Sequence, residues 1–530
     1  MVFIKGGFYM GNKIKKRNTY TAGEAAMYLV GLGGQNMIYN IIATGLYFYF
    51  QNVICLNAVA LGWIMAIARV WDAINDPMMG TIVDKTKSKW GKCRPYLLFV
   101  PPIVMVVTIA TFLNGNYAEA QRAAEAAGGG VSAKMVLITA WAALSYILWG
   151  MSYTIGDIPL WGIIPRMTED EGDRAKLISL ARIAATIFGS TIVVGIIPIS
   201  QAVNGSEHPN AQRGFIIVAI GLTVLSSILF ELAGIGTKER VPVSQESKTM
   251  KESFKLMWSC KPFRRILISG VLRSPIQLMT IVVMTLFTYY YCDGDMNRAF
   301  DFKNNPKMFI ILIIIGGGFF IGQFGAMGLF PVLIKKMDVK TIYNLTAISG
   351  IPTGLIFALF LMHPQELAEV KYVAILGVLI LFGGIGFGLV MVCQSMMIAD
   401  CIDYEEYHNG FRPDGVFFSG QSFITKLSAG IASIISAYVF NAVGYSGKNI
   451  DDLNKALAGG AHFASDPRYA KYSWAMWFLL TVPPAIGMMV AIIPTLKYEI
   501  TKKDHEKMLA ELIKRHDAEK AEVAEVAEEA

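Results

Sequence analysis

Charge is what this chain has least of. Only 16% of its 530 residues are Asp, Glu, Lys or Arg, where a soluble chain of this length carries about a quarter. Histidine and cysteine are scarce too, with six of each. The histidines (His208, His363, His408, His462, His505, His516) all fall in apparent loops or in the tail. An intramembrane zinc or histidine-based hydrolase therefore lacks its side chains. The cysteines (Cys55, Cys93, Cys260, Cys292, Cys393, Cys401) form no C-x-x-C pair, so neither metal nor redox chemistry is suggested. No cleavable secretory signal is read: the first 20 residues are polar and basic, and the apolar stretch after them is too long for a signal core. Nucleophile–base pairs are missing, which disfavours an enzyme. No cofactor and no nucleic-acid partner are expected.

In place of charge there are long apolar runs. The chain is 54% hydrophobic, and many runs approach or exceed the roughly 20 residues that a bilayer span needs. Short alternating strands, the mark of a β-barrel, are not the pattern. The expectation is an all-α polytopic membrane protein with about twelve spans, near 24–53, 57–83, 95–114, 135–164, 176–201, 213–236, 265–291, 306–334, 340–362, 370–399, 415–444 and 470–496. Basic residues alternate between loops. Five Lys/Arg lie in the N-terminus, five in 85–94 and eight in 237–265, against two in 115–134 and none in 203–212. The positive-inside rule then makes both termini and the central loop cytoplasmic.

Six spans, a long basic loop and six more spans are the layout of the major-facilitator fold, which binds its substrate and ions at midplane between the halves. The expected organisation is a cytoplasmic N-terminus (1–23), a six-helix bundle (24–236), a central cytoplasmic loop (237–264), a second six-helix bundle (265–497) and a charged cytoplasmic tail (498–530). The Ala/Gly-rich segment 115–134 reads as an outside hairpin insertion, and the tail as a solvated helix former.

A few charges remain inside the spans, where each costs about 2.5–3.5 kcal/mol on the insertion scale and so needs a function or a partner. At about 1.5 Å per helical residue, Asp72 lies about 18 Å from the cytoplasmic edge, Asp157 about 14 Å, Arg182 about 12 Å and Lys426 about 16 Å. The middle of the hydrocarbon core is at about 15 Å. Four charges from four spans thus meet at one level, as a central binding site requires. Asp72, Asn75 and Asp76 share a helix face by their i, i+3, i+4 spacing. Two carboxylates that close cannot both stay ionised cheaply, so one is protonated or a cation lies between them. Oxygen donors suit a hard alkali cation, and Asn75 and Thr154 can add neutral oxygens. The plainer alternative is a structural salt bridge from Arg69 to Asp72. On span 4, Trp149, Tyr153, Asp157 and Trp161 repeat every four residues. An aromatic stripe beside an acid suits a sugar, whose ring stacks while its hydroxyls donate; for Trp149 simple packing is the favoured reading. Arg182 and Lys426 are either hydroxyl donors to substrate or counter-charges for the acids.

Three stretches, ARVWDAINDPMMGTIVDKTKSKWGKCRPYLL, ILWGMSYTIGDIPLWGIIP and MIADCIDYEEYHNGFRPDG, resemble signatures of the glycoside–pentoside–hexuronide:cation symporter family, and the likeness covers roughly residues 24–500. It implies major-facilitator architecture and cation-coupled sugar or glycoside uptake. It places the cation, sodium in preference to a proton, at Asp72, Asn75, Asp76 and Thr154. It places the sugar at Asp157, Trp161, Arg182, Gln421, Ser422 and Lys426, with Tyr153, Asn36 and Arg273 as further lining candidates. Arg174 facing Asp400 and Asp403 is the implied inner gate.

Departures from the family pattern bear on the substrate. Where galactoside carriers have Lys-Asp in span 1, this chain has Gln35-Asn36; a span 10 tryptophan is replaced by Met391; and span 7 carries Arg273. A galactoside such as melibiose is disfavoured, and a uronide is one option. The expected setting is a bacterial inner membrane, with a sugar, a monovalent cation and lipid as partners and a monomeric state. The rival readings are a cation-coupled lysolipid carrier, against which the polar Gln35, Asn36, Asn40, Gln421 and Ser422 argue, and a non-transporting sensor, which lacks a soluble signalling domain.

Overall fold

A computed structural model describes residues 19–168, 171–240, 250–301, 303–410, 414–512 and 514–515, apart from some side chains within helices. The expected N-terminal segment, the middle of the central loop and the end of the tail lie outside these residues. No strand is present among the described residues.

Helix ends follow local chemistry. Helix α1 (Ala22–Asn40) starts on a capping box in which Thr21 and Glu24 satisfy each other's backbone N–H groups at 3.2 and 2.8 Å. It runs on through π-helical turns Ile41–Leu46 and Tyr49–Val53. Asn57 caps α2 (Ala58–Lys85), accepting from Val59 and Ala60 at 3.0 and 3.1 Å. Next come α3 (Arg94–Phe112), the short α4 (Tyr117–Ala126), α5 (Ala133–Gly162), a single turn α6 (Ile164–Met167), α7 (Glu171–Asn204) and α8 (Gln212–Gly236). After the central loop follow α9 (Met250–Ser259), then α10 (Lys261–Leu272) and α11 (Gln277–Leu286), joined by a 3-10 turn at Ser274–Ile276. The rest of the second half is α12 (Pro306–Lys336), α13 (Val339–Leu345), α14 (Gly350–Met362), α15 (Val370–Asn409), α16 (Asp414–Val443), α17 (Lys448–Ala458), α18 (Ala470–Val490) and α19 (Ile492–Leu496).

Ten helices among the described residues are long and apolar enough to cross a membrane, and the pair α10–α11, bent by 44°, makes an eleventh. The α1 rod, continuous to Val53, completes the expected twelve. Its polar Gln35, Asn36, Asn40, Gln51 and Asn52 dilute it below a plain apolar span. Large apolar side chains such as Val106, Leu137, Ile187 and Ile321 stay exposed around the outside, as a lipid-facing belt requires.

Two bundles form. In the first, α1 packs on α7 and α8, and α3 on α5 and α8; in the second, α12 lies along α15, and α14 and α11 along α18. Helix α16 of the second bundle packs along α2 of the first. One face of the molecule, here the terminal face, gathers the described chain ends. There Thr19 bonds Asp173 at 2.8 Å and Lys340 donates to the Tyr498 carbonyl at 2.8 Å. The basic loop 85–94 is held at this face by Glu239, whose carboxylate accepts from the N–H groups of Lys92, Cys93 and Arg94 at the start of α3. Gly91 permits this approach: its φ is +109°, and a β-carbon there would run into that carboxylate.

The opposite, distal face is sealed by contacts between the bundles. The Tyr445 hydroxyl donates to Asn52 Oδ1 at 2.7 Å, Asn454 to the Asn52 carbonyl at 2.8 Å, and Gln201 to the Gly294 carbonyl at 2.9 Å. One apolar core runs through this seam and includes residues of both halves.

Candidate functional site

Helix α2 carries the two acids. Asp72 is buried, and its carboxylate rests on α5 where Gly150 leaves room: a β-carbon on Gly150 would stand 2.6 Å from Asp72 Oδ1. Arg69, one turn earlier on α2, pairs with Asp72 at 3.5 Å. The salt bridge weighed as the plainer alternative is thus present. One turn further, Asp76 divides its oxygens between the two halves of the protein. Thr154 of α5 donates to Oδ1 at 3.2 Å, and the Lys426 ammonium of α16 pairs with Oδ2. Asn75 lies buried beside them, and its amide nitrogen has no hydrogen-bond partner among the described residues.

Asp157 lies on the next turn of α5 from Thr154 and accepts from Gln35 Nε2 at 2.6 Å. The same nitrogen reaches the Tyr153 hydroxyl, and Asn36 donates to Gln35 Oε1 at 2.8 Å. The Gln35 amide thus satisfies Asp157 as a neutral donor. In the sequence it was visible as a departure and as a polar lining residue, but nothing identified it as the direct partner of Asp157. The Arg182 guanidinium lies over the Trp161 ring, 4.5 Å from its centroid, in cation–π geometry. One face of the tryptophan is covered by it. Trp149 is fully enclosed: Nε1 donates to Thr108 at 3.1 Å, and the ring stacks on Tyr146 and Tyr153. The packing reading of Trp149 fits this environment.

Other expected positions lie apart from this cluster. Arg273 is buried in the second half, donating to Thr346 at 3.2 Å and lying over the Tyr343 ring. The side chains of Arg174, Gln421 and Ser422 fall outside the described residues, so the proposed gate partner of Asp400 and Asp403 is not described. Among the described residues both acids meet His505, at 3.6 and 2.9 Å from Nε2. His505 comes from residues 502–512, a helical stretch of the tail in which Met508 and Leu512 are buried. Over these residues the tail is docked on the second bundle and is not the solvated helix expected from its charge. A histidine in a charged tail gave no signal of this contact.

The arrangement has the ingredients of a coupled binding site. Hard oxygen donors (Asp72, Asn75, Asp76, Thr154) adjoin an amide- and aromatic-lined acid (Asp157), and a lysine from the opposite half closes on the shared carboxylate.

Comparison with known proteins agrees with the architecture. The family described as MFS/sugar transport protein matches residues 27–502. The chain is 25% identical to the isoprimeverose transporter of Lactiplantibacillus pentosus over 92% of this chain and 90% of that protein. It is 24% identical to the inner membrane symporter YicJ of Escherichia coli strain K12, over 82% and 83% of the two chains. Among solved structures, a bacterial homologue of the human lysosomal transporter Spinster, in an inward-facing unoccupied conformation, superposes with a TM-score of 0.56 at 12% identity, over 91% of this chain and 98% of that one. The last likeness is one of fold: two six-helix bundles of the major-facilitator type. With almost its whole length matched, the chain belongs to the MFS/sugar transport protein family and is a multi-span membrane transporter, not an enzyme.

Proposed function

We propose that this protein is a secondary active transporter that carries a sugar or glycoside together with a monovalent cation, sodium rather than a proton, across a bacterial inner membrane by alternating access. The observation that carries the reading is the position of Asp76, one oxygen held by Thr154 of the first half and the other by Lys426 of the second. A carboxylate shared across the seam links charge at the site to the relative position of the halves. Lys426 behaves as a tethered cation. A mobile cation that reaches Asp72 and Asp76 competes with it, frees the ammonium and loosens one tie between the bundles. Asn75 and Thr154 favour sodium, because they supply neutral oxygens that a proton does not need.

Sugar binds next to this in the proposal. Asp157 and Gln35 present an acceptor and a donor to hydroxyls, and Trp161 offers its uncovered face to the ring. Arg182 lies within reach of the same ring and suits a substrate with a carboxylate, a uronide among them. The amides of Gln35 and Asn36 favour such a polar substrate over a lysolipid. The names of the isoprimeverose transporter and of the symporter YicJ support sugar transport and symport respectively. Cation and sugar sites that adjoin on one helix, α5, where Thr154 faces Asp76 and Asp157 faces Gln35, couple by a reciprocal binding energy. With the basic loop 85–94 read as cytoplasmic, the terminal face points inward, and the form seen is closed on its outer side.

The test is sugar binding and uptake in proteoliposomes with sodium replaced by choline at fixed pH. Sugar affinity and concentrative uptake are expected to fall at least tenfold. If both stay unchanged, the sodium assignment is wrong, and proton coupling through one of the two acids is the remaining form of the proposal.

A further inference from the structure

The insertion between α3 and α5 has no part in the site, yet it touches both halves of the protein. We propose that α4 is a releasable clamp, a charged helix of the first half that grips α17 of the second half and holds the distal face shut. Its functional meaning rests on the alternating-access reading; its geometry does not.

Each helix of the pair is anchored in its own half. On α4, Ala118, Ala120 and Ala124 are buried, and the Tyr117 N–H donates to the Ile54 carbonyl at 3.0 Å. Three successive glycines, Gly128 to Gly130, all with φ near +90° to +110°, turn the chain back towards α5. On α17, Ile450, Leu453 and Leu457 are buried, and Asn454 accepts from the Tyr289 hydroxyl at 2.6 Å.

The facing surfaces are complementary. Arg122 pairs with both Asp451 and Asp452, and Lys448 with Glu125 at 2.5 Å. A third contact is less usual. Helix α17 begins after Gly447, which has no side chain to cap it. The orphan N–H of Lys448 donates to Gln121 Oε1 of α4, at 3.1 Å. The first half thus supplies the cap for a helix of the second. Separation of the halves at this face breaks the cap and the ion pairs together.

Water reaches these groups: Arg122 is 31% exposed, Lys448 37% and Asp452 61%. Exposed pairs are individually weak and are screened by salt. That suits contacts which must open and close in every cycle. Directly beneath lies a reporter, Cys55, which is buried and flanked by the Ile54 carbonyl that holds α4.

The experiment is the rate of maleimide modification at Cys55 in the purified full-length protein in detergent, read by peptide mass spectrometry, with Cys401 in the separate core at the terminal face as the control. Neither sugar nor coupling cation is present, so the result is independent of their assignment. Arg122→Ala and Lys448→Glu are expected to speed labelling at Cys55 about three- to tenfold and to leave Cys401 unchanged. The charge-swapped double variant Glu125→Lys/Lys448→Glu should return to within twofold of the wild type. No acceleration at Cys55, equal acceleration at both cysteines, or failure of the swap to restore slow labelling overturns the clamp.

Discussion

Among the described residues, ion pairs join the halves of this protein in two places. Inside the bundle, Lys426 meets Asp76 beside the Arg69–Asp72 pair. At the distal face, Arg122 meets Asp451 and Asp452 beside the Lys448–Glu125 pair. The chemistry is the same and the surroundings are not. The inner groups lie within the membrane-spanning helices, Arg69 and Asp72 nearly enclosed and Asp76 and Lys426 about a quarter exposed, so that removing one partner leaves the other poorly solvated. The outer groups face water, where a pair contributes about 0–1 kcal/mol and salt weakens it. One site is therefore suited to sense a ligand and the other to set how easily the halves part.

The sharpest break in this comparison is at Asp76. Asp76→Cys removes the shared carboxylate and leaves Lys426 without its partner. Concentrative uptake is expected to fall at least a hundredfold, while sugar exchange at equal concentrations persists. Full accumulation by this variant would remove the inner pair from the coupling mechanism. A smaller effect on the same site comes from Gly150→Ala. The new methyl group would crowd Asp72 Oδ1 from 2.6 Å and push the carboxylate off α5. The cation concentration for half-maximal uptake should rise about tenfold, with sugar affinity at saturating cation little changed. An unchanged cation dependence would mean that the position of Asp72 is not set by α5.

Much of the inner site was legible in the sequence, and the outer one hardly at all. Depth along a span needs only a helix rise and a membrane edge, so Asp72, Asp157 and Lys426 could be placed at one level from the chain alone. The structure brings Asp76, Thr154 and Lys426 into contact, and the family read from three motifs is the family that comparison returns. Gly150 could have been found too, since it lies four residues before Thr154 on the same helix face. The partners of Arg122 could not, because α4 and α17 are more than 300 residues apart and a short Ala/Glu/Arg helix looks the same whether it is solvated or docked. His505 was hidden for the same reason. What the residues of the inner site do in transport remains the proposal made above, since contact is not role.

At the distal face the expected effects are modest. Raising choline chloride from about 50 to 500 mM shortens the Debye length from about 14 to about 4 Å. Wild-type transport from the distal side should change about two- to threefold over this range, and that of Arg122→Ala should be nearly flat. Equal salt dependence in the two proteins would show that the outer pairs contribute nothing to opening.

The smallest effect is expected at a third charged contact, within the second half. His505 of the docked tail bonds Asp403 at 2.9 Å and lies 3.6 Å from Asp400, both on α15, with Glu506 next to it on its own helix. The bond to Asp403 holds the His505 pKa above its ordinary value of 6.5, with the nearby acids adding to this against the cost of burial. A raised value in the docked form means that the contact favours docking fully below about pH 6.5 and loses this contribution as pH rises through the raised value. Hydrogen exchange over residues 502–512, corrected for its intrinsic pH dependence, should accordingly show protection falling about two- to fivefold between pH 6 and pH 9. His505→Ala should show the lower protection at both ends. Because this contact does not bridge the halves, its loss should leave Cys55 labelling at the wild-type rate. Faster labelling would tie the tail to the clamp, and the separation drawn between contacts within a half and contacts across the seam would fail.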